Sequence, residues 1–342
     1  MKKTSLLAAL TAGAMMISGC SNSKLSKTAI EVNDTKVTVG DIAAMASSYL
    51  NYGYDFDSAV TMLTEQIEDS LKYGAVAEAM GLELTDEDKE MVVQQRASFA
   101  SQAGGLKKYT AYLKETGSSL DFLETLFSAS ALQSQVTDKI KEELGDAEAT
   151  DEELKAYFTE NYMRAKHVLI EKEAPEATEE ETPEATEEAD TKEKVYGEEA
   201  ANDILERAKN GEDFDKLVAT YSTDPGSESN PDGYVFKDGD MVKEFQECVE
   251  SLKPGEFGIC ESDYGYHIIQ RLALSPEEEK FETWYTDNSS NIKTAYENKK
   301  VEDKFNELCE EYGVTSKVYE DVIDAFEETD MVEAPAAQTT AG

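Results

Sequence analysis

Basic side chains are scarce in this chain. Its 342 residues hold 32 Lys and Arg against 73 Asp and Glu, a formal net charge of -41. Phosphate backbones are gripped by cations, so that balance excludes a general nucleic-acid binder and argues against electrostatic docking on anionic lipid. Histidine is scarcer still, with two in all, and there are four cysteines. No CxxC and no pair of histidines near a cysteine supports a metal site. Asp232 and Asp240 follow Asp224 closely enough to suggest calcium, but the EF-hand spacing is missing. The composition therefore leads us to expect neither metal nor cofactor. Long apolar runs are missing too: residues 5–17 are apolar but too short to span a bilayer as a permanent helix.

What is present begins with a targeting segment. Lys2 and Lys3 precede the apolar stretch, which ends in Ile17-Ser18-Gly19-Cys20. Small residues before a cysteine at that place resemble the bacterial lipobox. The resemblance implies diacylglycerol on the Cys20 sulfur and cleavage before it, with residues 1–19 as signal peptide and 20–28 as a flexible tether. The plain alternative is an ordinary signal peptide with an incidental cysteine. The other three cysteines, Cys248, Cys260 and Cys309, are odd in number and have apolar neighbours. They read as small buried apolar residues, with a Cys248–Cys260 bridge left open.

The apolar fraction, 40%, can fill a core, and the length allows two or three domains. Residues 29–38 read as extended. Helical periodicity follows over 39–50, over 56–80 up to a C-cap at Gly81, from Thr85-Asp86-Glu87-Asp88 onward, over 120–144, and from Thr150 to about 158. The texture changes at Arg164. A strand over 165–170 leads into residues 171–194, where Pro-Glu-Ala-Thr-Glu-Glu occurs twice among eleven acidic and three basic side chains. Such a stretch cannot bury itself and is expected to be a disordered loop. Helices are expected over 198–209, 214–221 and 241–252, and strands near 235–236, 257–261 and 264–272. Helical texture returns after Pro276, and 327–342 has the composition of a disordered tail. The expected fold class is α+β: a mainly helical domain built from the two ends (29–163 and 275–326), with a strand-containing domain, 164–274, inserted between them.

The two histidines each lie in a strand-like run, Ala165-Lys166-His167-Val168-Leu169-Ile170 and Tyr264-Gly265-Tyr266-His267-Ile268-Ile269. Between them stand Gly211-Glu212-Asp213-Phe214, Tyr221-Ser222-Thr223-Asp224-Pro225-Gly226-Ser227, a Phe236…Gly239…Met241-Val242…Phe245 series and Leu252-Lys253-Pro254-Gly255-Glu256. In this order the motifs resemble the parvulin family of peptidyl-prolyl cis-trans isomerases over residues 164–274 apart from the acidic insert. With the lipobox and the helical flanks, the whole chain resembles foldase lipoproteins of the PrsA type, and the helical part is similar to SurA-like chaperone domains. The resemblance implies a small antiparallel sheet surrounded by helices, and His167 and His267 side by side on central strands. Asp224 would complete a hydrogen-bonded catalytic floor with them. Met241 and Phe245 would bind the prolyl ring, Phe236 would line the pocket edge and Tyr264 its mouth.

It also implies unfolded or folding exported polypeptides as partners, and an extracytoplasmic, lipid-anchored location typical of Gram-positive bacteria. The sequence names neither clients nor oligomeric state. Each residue also has a plainer reading: core histidines that satisfy one another, an apolar helix face, a simple turn at Asp224. Two departures stand out. Pro231-Asp232-Gly233-Tyr234-Val235 replaces the family's Gly-Gly-Asp-Leu-Gly, leaving one apolar wall in doubt with Tyr234 as its candidate substitute. The acidic insert sits where phosphate-reading parvulins carry basic residues, so phospho-specificity is not expected. The competing functions are a non-catalytic holdase with a degenerate parvulin module and, more remotely, a solute-binding lipoprotein.

Overall fold

The computed structural model describes residues 23–145, 148–173, 194–275 and 279–335, without the side chains of 279–283. The leader, Cys20 and most of the acidic insert lie outside the described residues. The chain is α+β and divides into two compact units: Met1–Ala147 with Asn298–Gly342, and Glu148–Glu297.

Unit one opens with a hairpin of β1 (Thr28–Val32) and β2 (Thr35–Thr38). The expected tether does not extend to it: Leu25 is already buried, and the Lys24 ammonium bonds Asp330 at 2.7 Å. Five helices follow: α1 (Val39–Asn51), α2 (Phe56–Met80), α3 (Asp86–Gln102), α4 (Leu106–Thr116) and α5 (Leu120–Leu144). Their starts are written locally. Thr85 accepts from the Asp88 N–H while the Asp88 carboxylate accepts from the Thr85 N–H, satisfying two orphan donors of α3. Gly81, left-handed at φ 72°, closes α2. The apolar stripes of α2 and α5 meet through Leu63, Ile67, Leu123 and Phe127, which join Ile30 and Val37 of the hairpin in one core.

Unit two begins with α6 (Asp151–Asn161), which the sequence alone places with the helical domain. Then come β3 (Tyr162–Ile170), α7 (Gly197–Lys209), α8 (Phe214–Tyr221), β4 (Tyr234–Lys237), α9 (Lys243–Ser251), β5 (Phe257–Ser262), β6 (Gly265–Arg271) and α10 (Glu279–Glu311). The four strands form an antiparallel sheet in the order β4-β3-β6-β5. Side chains alternate across a sheet. Val168, Ile170 and Ile268 therefore pack on one face against Ile204, Leu205 and Leu217 of α7 and α8, while Ala165 and Ile269 pack on the other against Phe245 and Val249 of α9. The first part of α10 belongs here too. Tyr285 and Ile292 close over Leu154 and Phe158 of α6, with the Trp284 ring 5.5 Å from Phe158. This corrects the expected boundaries, because α6 and this part of α10 complete each other's apolar faces.

The rest of α10 returns to unit one, where Phe305 stacks on Tyr73 at 3.8 Å and Leu308 joins Val76, Val136 and Ile140. The chain ends with β7 (Ser316–Val318) and α11 (Glu320–Ile323). β7 pairs with β1, so the order is β2-β1-β7. Residues 327–335, expected as disordered tail, instead form a short 3-10 turn at Glu328–Asp330, and Met331, Val332 and Ala334 pack on the core.

Candidate functional site

The face of the sheet under α9 carries both histidines. His167 on β3 stands opposite Ile269, and His267 on β6 opposite Leu169, so the imidazoles are diagonal neighbours on one face. Their rings lie nearly parallel, 9° apart with centroids at 5.2 Å, and the two Nδ1 atoms are 3.0 Å apart. Both side chains are buried.

Asp224 reaches His167 from the loop after α8. Ser222, fully buried, fixes that loop to β3: its hydroxyl accepts from the Leu169 N–H at 3.1 Å and from the Asp224 N–H at 3.3 Å. The Thr223 N–H donates to the Leu169 carbonyl at 2.9 Å. Asp224 then caps a short 3-10 turn, Pro225–Glu228, by accepting from the Gly226 N–H at 3.1 Å. Its other oxygen receives His167 Nε2 at 2.9 Å, the Ser227 hydroxyl at 2.8 Å and the Tyr234 hydroxyl at 2.6 Å. Burial pushes the carboxyl upward, but these donors outweigh it and hold Asp224 well below the usual carboxylate range. Burial, and then the neighbouring Asp224 charge, push the Tyr234 phenol up, so it stays a donor.

Burial lowers His267 to about 4, helped by the nearby His167 and opposed by Asp224. The partners then order the protons. Ionised Asp224 takes the Nε2–H of His167. With both rings neutral, His267 Nδ1–H donates to His167 Nδ1, and His267 Nε2 accepts the Ser262 hydroxyl at 2.7 Å. The Tyr264 N–H donates to Ser262 Oγ at 3.1 Å, closing the chain at the β5–β6 turn. Gly265 makes that turn possible: its φ is +135°, and a Cβ there would lie 2.3 Å from the Ile170 carbonyl oxygen.

Phe245 walls this floor. Its ring meets His167 and His267 edge-on, with centroids at 5.2 and 5.5 Å. Met241 is half-buried in the same cluster, but it precedes α9, which starts at Lys243, so the expected helical turn from Met241 to Phe245 is not present. Phe236, expected at the pocket edge, is only 1% exposed and sits 5.8 Å behind Phe245 as support. Tyr264 is 67% exposed beside the floor. Tyr234, the candidate apolar wall, instead spends its hydroxyl on Asp224. Ser262, Ser227 and Ser222 belong to the network without being singled out by the sequence. One signal points to Ser262: it falls two residues before Tyr264-Gly265, within reach of the strand that carries His267. Among the described residues no cluster of three His, Cys, Asp or Glu could hold a metal ion.

Likeness to known proteins is concentrated in unit two. Residues 153–273 match the family model of the PPIC-type PPIASE domain. Over 137 residues the chain is 36% identical to foldase protein PrsA of Geobacillus kaustophilus, covering 39% of this chain and 40% of that one. Over 124 residues it is 40% identical to foldase protein PrsA of Halalkalibacterium halodurans, covering 36% of this chain and 31% of the relative. The chain thus spans less than half the length of these curated relatives. A solved peptidylprolyl isomerase (PrsA) from Bacillus anthracis matches at 17% identity, covering 72% of this chain and 96% of its own, with a TM-score of 0.30. Over this segment the chain is similar to PPIC-type, parvulin domains.

Proposed function

We propose that unit two isomerises X–Pro peptide bonds in exported polypeptides, that unit one holds those chains while they fold, and that a lipid on Cys20 keeps the protein at the outer face of the cytoplasmic membrane. The observation that carries the catalytic part is the imidazole pair at 3.0 Å with Asp224 on its outer nitrogen and Phe245 edge-on against both rings. Rotation about X–Pro breaks no bond; its barrier, about 18–20 kcal/mol, comes from amide resonance. A site lowers that barrier by binding the twisted amide better than either planar form. Here Met241 and the rim of Phe245 would take the prolyl ring. The hydrogen-bonded floor would hold fixed dipoles beneath the rotating amide, and Tyr264 would contact flanking backbone. The histidines shape the site and need transfer no proton.

The test is cis–trans isomerisation of a proline tetrapeptide. Wild type is expected to accelerate it, and His167→Ala or Asp224→Ala to lower kcat/KM by at least about tenfold, equivalent to ~1.4 kcal/mol. A wild-type rate equal to background overturns catalysis. A second reading, a holdase without catalysis, is favoured by the near-complete burial of Phe236 and Phe245 (1% and 3% exposed). It predicts that aggregation suppression survives Met241→Ala and His167→Ala together while no isomerisation is measured. The anchor is checked by fractionation: Cys20→Ala should release the protein from the membrane fraction, and an unchanged distribution refutes lipidation there.

A further inference from the structure

Two cysteines lie beside the floor, on the same face of the sheet, and the hydrogen-bond network does not use them. Cys260 on β5 stands opposite His267 on β6, on the same face of the sheet. Cys248 is on α9, three residues after Phe245, and faces the same cluster. Its sulfur hangs over the small residue two places before Cys260: a Cβ built at Gly258 would lie 3.0 Å from Cys248 Sγ. Gly258 and Cys260 share a strand face, which puts both thiols in the α9–β5 contact, and each is the other's hydrogen-bond partner. Both are free thiols and only half-buried, so a small reagent can reach them.

We propose that Cys248 and Cys260 are a disulfide-forming pair, oxidised by a low-molecular-weight disulfide, and that the bond staples α9 to β5 and holds Phe245 against the two imidazoles. This goes beyond the isomerase reading and does not depend on it. The step balances without any other oxidant. The Cys248 thiolate attacks the small disulfide, forms a mixed disulfide and expels one small thiol. Cys260 then loses its proton, attacks the Cys248 sulfur and expels the second. Two protein thiols and one small disulfide become one protein disulfide and two small thiols.

The experiment treats the folded, purified protein with oxidised glutathione, alkylates remaining thiols and digests with a glutamate-specific protease. Glu250 and Glu256 lie between the two cysteines; trypsin would leave both on one peptide because Lys253 precedes Pro254. The expected result is a linked pair of peptides holding Cys248 and Cys260, with Cys309 still alkylated as internal control. The melting temperature of the oxidised protein should rise by roughly 5 °C, and Cys248→Ser and Cys260→Ser should each abolish the rise. Alkylation of both cysteines after oxidation, a link to Cys309, or a rise that persists in either variant overturns the proposal. The peptide map needs only wild-type protein, so it stands even if a variant fails to fold, and it is read independently of any isomerase assay.

Discussion

His267 links the site to pH. Its imidazole titrates near 6.5 in an unfolded chain and at about 4 in the folded one. Between those values the unfolded state binds more protons, so stability is complete above about 6.5 and falls as pH drops toward 4. Going from pH 7 to pH 5 should cost unit two about 2 kcal/mol through this residue alone. The only tryptophan, Trp284, packs on Phe158 and Tyr162 in the same unit, so its fluorescence in urea titrations reports the change. An equal unfolding free energy at the two pH values would refute the neutral, buried imidazole. His167, His267 and Asp224 are legible in the sequence because they sit in ordered motifs. The hydroxyls are not. Tyr234 reads in the sequence only as an apolar wall and Ser262 only as a residue before a turn, and what makes them polar partners is the approach of the β5–β6 turn and β4 to groups up to ten residues away.

Elements are readable in proportion to their own local signals. The long helices carry caps and apolar stripes, and α2 and α5 lie where periodicity puts them. β7 has three residues, none buried, and has meaning only beside β1, so the sequence reads it as part of the helical texture that returns after Pro276. The spacing from Met241 to Phe245 is helical, yet α9 begins two residues after Met241. The β5–β6 turn is the element on which the floor depends most. Gly265→Ala forces a Cβ onto the Ile170 carbonyl at a φ that L residues rarely adopt. It should destabilise unit two by about 3 kcal/mol and loosen the Ser262–His267 bond. A urea midpoint within error of wild type would show that the turn tolerates a side chain.

At the scale of the molecule, charge dominates. A net charge of -41 repels itself in the compact state and is screened by salt. Raising ionic strength from about 0.01 to 0.1 M shortens the screening length from roughly 30 to 10 Å. The calorimetric melting temperature should therefore climb by several degrees; a flat or falling value would mean that paired surface charges such as Lys72 with Glu68 outweigh the excess. The two-unit division is only partly legible. The sequence marks the change of texture at Arg164, but whether α6 and the first turns of α10 go with one unit or the other depends on which aromatic rings they meet.

β1 is the middle strand of its sheet, with residues 35–38 along one edge and residues 316–318 along the other. That wiring sets a timetable for a polypeptide threaded N-terminus first. The strand emerges early, finds one neighbour at once and waits through some 280 residues for the second. The stretch from 148 to 297 can finish its own sheet during that wait. A product cut short before residue 316 would present an open row of backbone donors and acceptors, ready to capture whatever unpaired segment came by.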